Sequence, residues 1–229
     1  MANNLIHYFE QRFSGAVPIP NTGVKPFVTI SRETGCNSIS IAEKLIRRLN
    51  AVSNQHWKLV SKEILGMAAD KLHLDHHRLE SVFNAVTPSQ MDEILKAFSE
   101  KYYKSDKAIR KSVREIIRDI AHDGYVVIVG RAGVAITNDM TGGLHCRLHA
   151  PLDWRVKNIA SLRDLDEQSA KEYIIDSDAK REKLLMDFSG KTLCDMHFDV
   201  GLNNQRLNDD QIADLLFELM KMRGLIAVK

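Results

Sequence analysis

Five short apolar runs punctuate the chain. They fall at 27–31 (FVTIS), 57–60 (WKLV), 125–130 (YVVIVG), 144–149 (LHCRLH) and 198–202 (FDVGL), each bounded by turn residues or by helical patterns, and they read as strands. Between them apolar residues recur at helical spacing, as with Ile109, Val113, Ile116, Ile117 and Ile120, and again with Ile212, Leu215, Leu216 and Leu219. Strand alternating with helix predicts an α/β fold with a mostly parallel sheet covered on both faces. YVVIVG is apolar enough for a central strand. Residues 61–124 are too long for one crossover and predict an inserted helical layer, and a second helical stretch occupies about 151–190. Residues 2–13 suit a short helix, but Gly15, Pro18, Pro20, Gly23 and Pro26 then break regular structure, so 1–26 reads as a leader and 27–229 as one domain.

The composition is that of a globular protein: 229 residues, 44% hydrophobic and 27% charged, enough for one sizeable core. A formal charge of +2 demands neither a nucleic-acid nor a membrane partner. Cys36, Cys146 and Cys194 are odd in number and widely spaced, which argues against a disulfide framework or a thiolate zinc site and fits a reducing compartment. There is no secretory signature and no run approaching the ~18 apolar residues of a membrane span, so the expected location is cytoplasmic.

Chemistry enters where the first strand ends. The turn SRETGCNSIS leaves the ligand-binding edge of a parallel sheet and feeds a helix starting near Asn37 or Ser38. Free backbone N–H groups and the helix dipole favour an anion there, and Gly35 permits close backbone approach. Ser38 and Ser40 add hydroxyls, with Ser40 within reach of a magnesium ion. The pattern GxxxxGK[ST] is not satisfied, so the segment by itself reads equally as a strand-to-helix turn with a serine cap. Arg32 is the residue expected to take part of the missing lysine's role; its alternative is a salt bridge with Glu33 or a neighbour.

The pieces TISRETG (29–35), SKEIL (61–65), VIVGRAG (127–133), HAPLDWRVKNIA (149–160), DAKR (178–181) and FDVGLNNQRL (198–207) occur in an order and spacing that resembles the cytidylate kinase-like family of P-loop nucleoside monophosphate kinases. The resemblance implies a P-loop NTPase fold with a five-stranded parallel core, a helical acceptor-binding insertion and a helical lid. It also implies transfer of a phosphoryl group from ATP, with Mg2+, to a nucleoside monophosphate, typically CMP. The similar branch reads SRExGSGG; this chain keeps Ser31, Arg32, Glu33 and Gly35 but has Cys36, Asn37 and Ser38 in place of serine and two glycines. Asparagine tolerates a left-handed backbone better than most residues. The alternative is a nucleotide-binding sensor or structural protein with weak or no transfer activity.

Residue by residue, the resemblance implies a nucleotide-binding stretch of Gly35, Cys36, Asn37, Ser38, Ile39 and Ser40, with Arg131 holding the acceptor monophosphate. It further implies Arg155 and Arg181 as lid arginines acting with Arg32 in catalysis, and Asp178 in acceptor recognition. Lys62 either approaches the acceptor or is solvated. Glu33 and Asp178 are both available as a base.

Other features carry less. His73 and His77, with Asp75 and Glu80, have i, i+4 spacing for a metal but read more simply as a solvated helix end. Cys194 and His197 resemble a nucleophile and base without an oxyanion-binding elbow. Lys107, Arg110, Lys111, Arg114 and Arg118 form a basic stripe, read as a solvated face in preference to an RNA contact. Leu5, Ile6 and Phe9 suit packing against another subunit, so a homo-oligomer is possible.

Overall fold

The computed structural model describes residues 25–61 and 106–226. The leader helix, Lys62, and the His73–His77 pair lie outside the described residues. Five strands form one parallel sheet: β1 (Phe27–Arg32), β2 (Lys58–Val60), β3 (Val126–Val129), β4 (Gly143–His149) and β5 (Val200–Asn203), in the spatial order β2-β3-β1-β4-β5. Every adjacent pair is parallel, with Phe27 opposite both Val126 and Gly143. The expected strands are thus all present. The third is trimmed to four residues because Tyr125 (φ 51°) and Gly130 (φ 74°) turn left-handed at its ends.

Side chains alternate across β1. Val28 and Ile30 pack with Ile41, Ala42, Leu45 and Leu49 of α1 (Ser38–Val52) and with Ile212, Ala213, Leu216 and Met220 of α6 (Asp209–Met222). Phe27 faces the other layer, where Ile109, Val113 and Ile117 of α2 (Asp106–Asp123) and the short α3 (Gly133–Thr137) enclose it. Each fully buried Leu or Ile of these clusters is worth about 1.5–3 kcal/mol relative to exposure, so both faces of the sheet are firmly sealed.

The stretch expected to be helical around 151–190 is two helices, α4 (Leu152–Arg163) and α5 (Glu167–Ser189). Asp164 (φ 53°) ends the first, and the Asp166 carboxylate accepts the Ser169 N–H to start the second. Val156 and Ile159 pack on Ala170 and Ile174 as a small core of their own.

Three arginines of the basic stripe on α2 are engaged by neighbouring elements and are only partly solvated. Arg110 pairs with Asp187 at 3.1 Å, Arg114 donates to the Phe188 carbonyl at 2.6 Å, and Arg118 donates to the Ile136 carbonyl and to Asp139. These arginines cap the ends of α5 and α3, because a guanidinium is a fork of donors suited to terminal carbonyls. Lys111 remains exposed. Among the described residues no helix is long and apolar enough to cross a membrane.

At the hydrogen-bonded centre of β1 and β4, the buried His145 Nδ1 lies 2.8 Å from Thr29 Oγ1. Burial lowers the His145 pKa, partly opposed by Asp199 and reinforced by Arg223. A folded-state value below the unfolded one means that the native protein resists the proton. The stabilisation is therefore complete above the ordinary histidine pKa and declines as pH falls through it. Urea unfolding of the wild type is expected to weaken between about pH 7.5 and 5.5, and His145→Gln to weaken measurably less over the same interval. Equal losses in the two proteins would remove His145 from the account.

Candidate functional site

The chain leaves β1 through residues 33–37 and enters α1 at Ser38. Gly35 has φ +97°, and a Cβ there would lie 3.0 Å from the Arg155 Cβ and 3.1 Å from its carbonyl oxygen. The glycine is therefore required twice, for its backbone and for the closeness of α4. Arg155 is itself buried. It donates to the carbonyls of Ala150 (2.9 Å) and Thr34 (3.2 Å) and to Asp178 (2.7 Å), with Glu33 at 3.3 Å. Asn158 adds a bond to the Gly35 carbonyl at 2.6 Å.

The loop donors have protein partners. The Thr34 N–H and hydroxyl both donate to Asp178, at 2.7 and 2.6 Å, and the Asn37 N–H donates to the Asn204 amide oxygen at 2.7 Å. The N–H groups of Cys36 and Ser38 close short turns onto Glu33 and Cys36. Asp178 thus places a carboxylate against the first turn of the loop, where its charge is answered by Arg155 and, at 3.7 Å, by Arg181.

Beside the loop lies a cavity of about 270 Å3 at the carboxyl edge of β1, β3 and β4, roofed by α5. Arg32, Arg131, Arg147 and Arg181 line it, and Leu184, Leu185, Leu193 and Phe198 form its apolar wall. Burial, together with the like charges of Arg181 and Arg131, lowers the Arg32 pKa to about 9. Burial also lowers that of Arg181, whose guanidinium donates to Thr34 Oγ1 at 2.8 Å. Among the described residues no carboxylate pairs with Arg32. The cavity therefore gathers four arginines, with the carboxylates of Glu33, Asp178 and Glu182 also on its lining.

Backbone geometry aims this cluster. Gly130, Arg131 and Ala132 all have positive φ (74°, 54° and 55°), and a Cβ on Gly130 would lie 1.9 Å from Arg32 Nη1. The Arg32 side chain thus crosses a gap that only glycine leaves open. Two non-glycine residues held left-handed each cost on the order of 1 kcal/mol, strain of the kind that collects at functional positions.

The residues expected from sequence are distributed unevenly. Arg32, Arg131, Arg181 and Asp178 meet around the cavity. Arg155 does not line it: its donors are spent on the loop and on Asp178, which corrects the expectation of an arginine free to close over phosphates. Cys36 is half-buried, with its thiol pushed up to about 12 by burial and by Glu33. Asn37 is tied to Asn204, Asn158 and Asp209, so it spans the loop, α4 and α6. Ser38 is buried at the first helical position, Ile39 is exposed and Ser40 half-exposed.

Sequence reasoning missed Arg147, Gly130, Asn158 and Asn204. Arg147 was accessible from alternation, since it shares a face of β4 with His145 and sits opposite Ser31. Asn158 and Asn204 act only through long-range contacts. It missed also a second, more open pocket bordered by Asn37, Lys44, Trp154, Asn204, Arg206 and Asn208.

Comparison with known proteins fixes the family. The chain is 20% identical to an uncharacterized protein from Eubacterium ventriosum whose structure it matches with a TM-score of 0.62, covering 87% of this chain and 99% of that one. A shikimate kinase from Bacteroides thetaiotaomicron aligns with a TM-score of 0.48 at 14% identity, over 86% and 98% of the two chains. A uronate isomerase from Corynebacterium glutamicum is 30% identical over 115 residues, which is 50% of this chain but only 22% of the length of that protein. The sequence pattern of the cytidylate kinase-like family matches residues 27–206, and the chain belongs to that family.

Proposed function

We propose that the protein transfers the γ-phosphoryl group of MgATP to a nucleoside monophosphate such as CMP. The observation that carries this reading is the gathering of Arg32, Arg131, Arg147 and Arg181 around one cavity, with the Arg32 pKa lowered to about 9 by burial and by its cationic neighbours. Such crowding is unfavourable until an anion of high charge enters, and phosphoryl transfer needs positive charge placed around the equatorial oxygens. Arg131 and Arg147, on the sheet edge, grip the acceptor phosphate. Arg32 and Arg181, from the end of β1 and from α5, face the transferring group. The acceptor oxygen of a monophosphate is already ionised, so no base is needed; Glu33 and Asp178 are engaged with Arg155 in any case.

Magnesium, when bound, would take the Ser40 hydroxyl as its protein partner and would offset the negative charge of the transferring phosphoryl group. The donor set suits this hard, sparsely coordinated ion: the first turn of α1 offers hydroxyls, and among the described residues no cluster of three or more His, Cys, Asp or Glu side chains competes for a tighter metal. The ATP base would occupy the open pocket beside Trp154 and Asn204, which adjoins Asn37 at the end of the loop.

A second reading, nucleotide binding without transfer, is favoured by one specific observation. The loop N–H groups of Thr34 and Asn37 are bonded to Asp178 and Asn204, so a phosphate must displace both before the loop can cradle it.

Calorimetry of MgATP binding to the wild type and to Arg32→Ala, followed by ADP release with CMP, dCMP and UMP, separates the two. The substitution is expected to weaken binding by about 10- to 100-fold, the worth of one charge-assisted hydrogen bond. ADP release tied to one monophosphate supports transfer. Tight binding with none supports the second reading, and no binding in the wild type removes both.

Gly130→Ala tests the geometry independently. It is expected to cost about 1–2 kcal/mol of stability from its left-handed backbone and to weaken nucleotide binding as Arg32 is displaced. Wild-type affinity in that variant would show that the position of Arg32 is unimportant.

A further inference from the structure

The donors beyond β1 hold a carboxylate that comes from far along the chain. Asp178, 144 positions away on α5, places Oδ1 at 2.7 Å from the Thr34 backbone nitrogen and 2.6 Å from the Thr34 hydroxyl, and both donate to it. The Arg181 guanidinium stands 3.7 Å from the same oxygen and donates to the Thr34 hydroxyl at 2.8 Å. A backbone N–H, a hydroxyl and a guanidinium around one oxygen are the surroundings that suit a phosphate oxygen. Asp178 supplies a carboxylate oxygen to that position.

The other oxygen of the same carboxylate is placed differently. Oδ2 accepts from Arg155 Nη1 at 2.7 Å, and Arg155 is buried and held further by the Ala150 and Thr34 carbonyls. Asp178 also lines the arginine cavity, and 30% of its side chain is exposed. The Oδ1 contacts can therefore be exchanged from the cavity side while the Oδ2 pair with Arg155 stays in place.

We propose that Asp178 is an internal competitor for phosphate, an autoinhibitory contact that holds the Thr34 N–H and hydroxyl until a polyphosphate displaces its Oδ1. The inference rests on the reading of the loop as the nucleotide-phosphate site, but not on phosphoryl transfer. On displacement the carboxylate keeps Arg155. Arg181, released from the Thr34 hydroxyl, becomes a partner of the incoming anion. Occupation of the loop and the aim of Arg181 into the cavity are thereby coupled through one side chain.

Calorimetry with inorganic tripolyphosphate on the full-length protein tests this. An asparagine at 178 can accept from Arg155 or from Thr34, but its amide nitrogen has no lone pair for the other. Asp178→Asn is therefore expected to tighten binding by about tenfold. Glu182→Gln removes the same charge from the lining of the same cavity, and it is expected to change affinity by less than about threefold. A readout on the wild type alone is the Thr34 amide resonance, which should shift along the binding isotherm as its carboxylate partner is replaced, so a poorly folded variant does not leave the matter open. Unchanged or weaker binding in a folded Asp178→Asn, an equal gain in both variants, or a Thr34 amide that stays still as tripolyphosphate binds would overturn the proposal. No binding to any of the three proteins removes it together with the phosphate-site reading. Tightened binding in Asp178→Asn without ADP release supports it while counting against transfer.

Discussion

The Arg155 side chain is the contact on which the arrangement of this molecule rests. Four groups from separated parts of the chain, the Ala150 and Thr34 carbonyls and the Glu33 and Asp178 carboxylates, converge on one buried guanidinium. A buried cation is tolerated only when it is paired and fully hydrogen-bonded, so these partners must be brought in together. Doing so fixes the loop against α4 and brings α5, which carries Asp178 and Arg181, over the edge of the sheet. Gly35 is where this closeness becomes visible in the sequence, because nothing larger fits beneath Arg155.

The adjoining cavity uses the same residue type to the opposite end. Arg155 is neutralised by two carboxylates, whereas Arg32 is crowded by Arg181 and Arg131. One arginine therefore consolidates the fold, and another, Arg32, is held beside like charges at the cavity. Proteins of marginal stability carry such a penalty only where the surrounding structure over-determines it. Here the two sealed faces of the sheet and the left-handed turn at Gly130–Ala132 supply that support.

The fold was legible in the sequence because its signals are local. Alternation in FVTIS and the apolar run YVVIVG identify strands, and the 3.6-residue periodicity of α2 and α6 identifies helices, without knowledge of what each packs against. The site was legible only in part. Arg32, Arg131, Arg181 and Asp178 follow strand ends or fall in recognisable segments, and the structure brings them around one cavity. What a residue does there is a matter of its partners: Arg155 and Arg181 look alike in sequence, yet one is spent on carbonyls and carboxylates and the other faces the cavity. The partners of Arg114 and Arg118 escaped for the same reason, since the helix-end carbonyls they bond belong to α5 and α3. Asn204 answers to Asn37 from 167 positions away, a separation that no periodicity encodes.

The sheet order has a consequence for assembly. β1 sits at the centre, but its two neighbours are β3 and β4, and the buried Thr29–His145 contact joins residues 116 positions apart. During synthesis the most enclosed strand is therefore made first and paired late, and it spends the interval as an apolar segment with both edges unmatched. Loop closure of this length makes acquisition of the native sheet slow, and the waiting strand is the segment on which a chaperone or an unwanted partner would act.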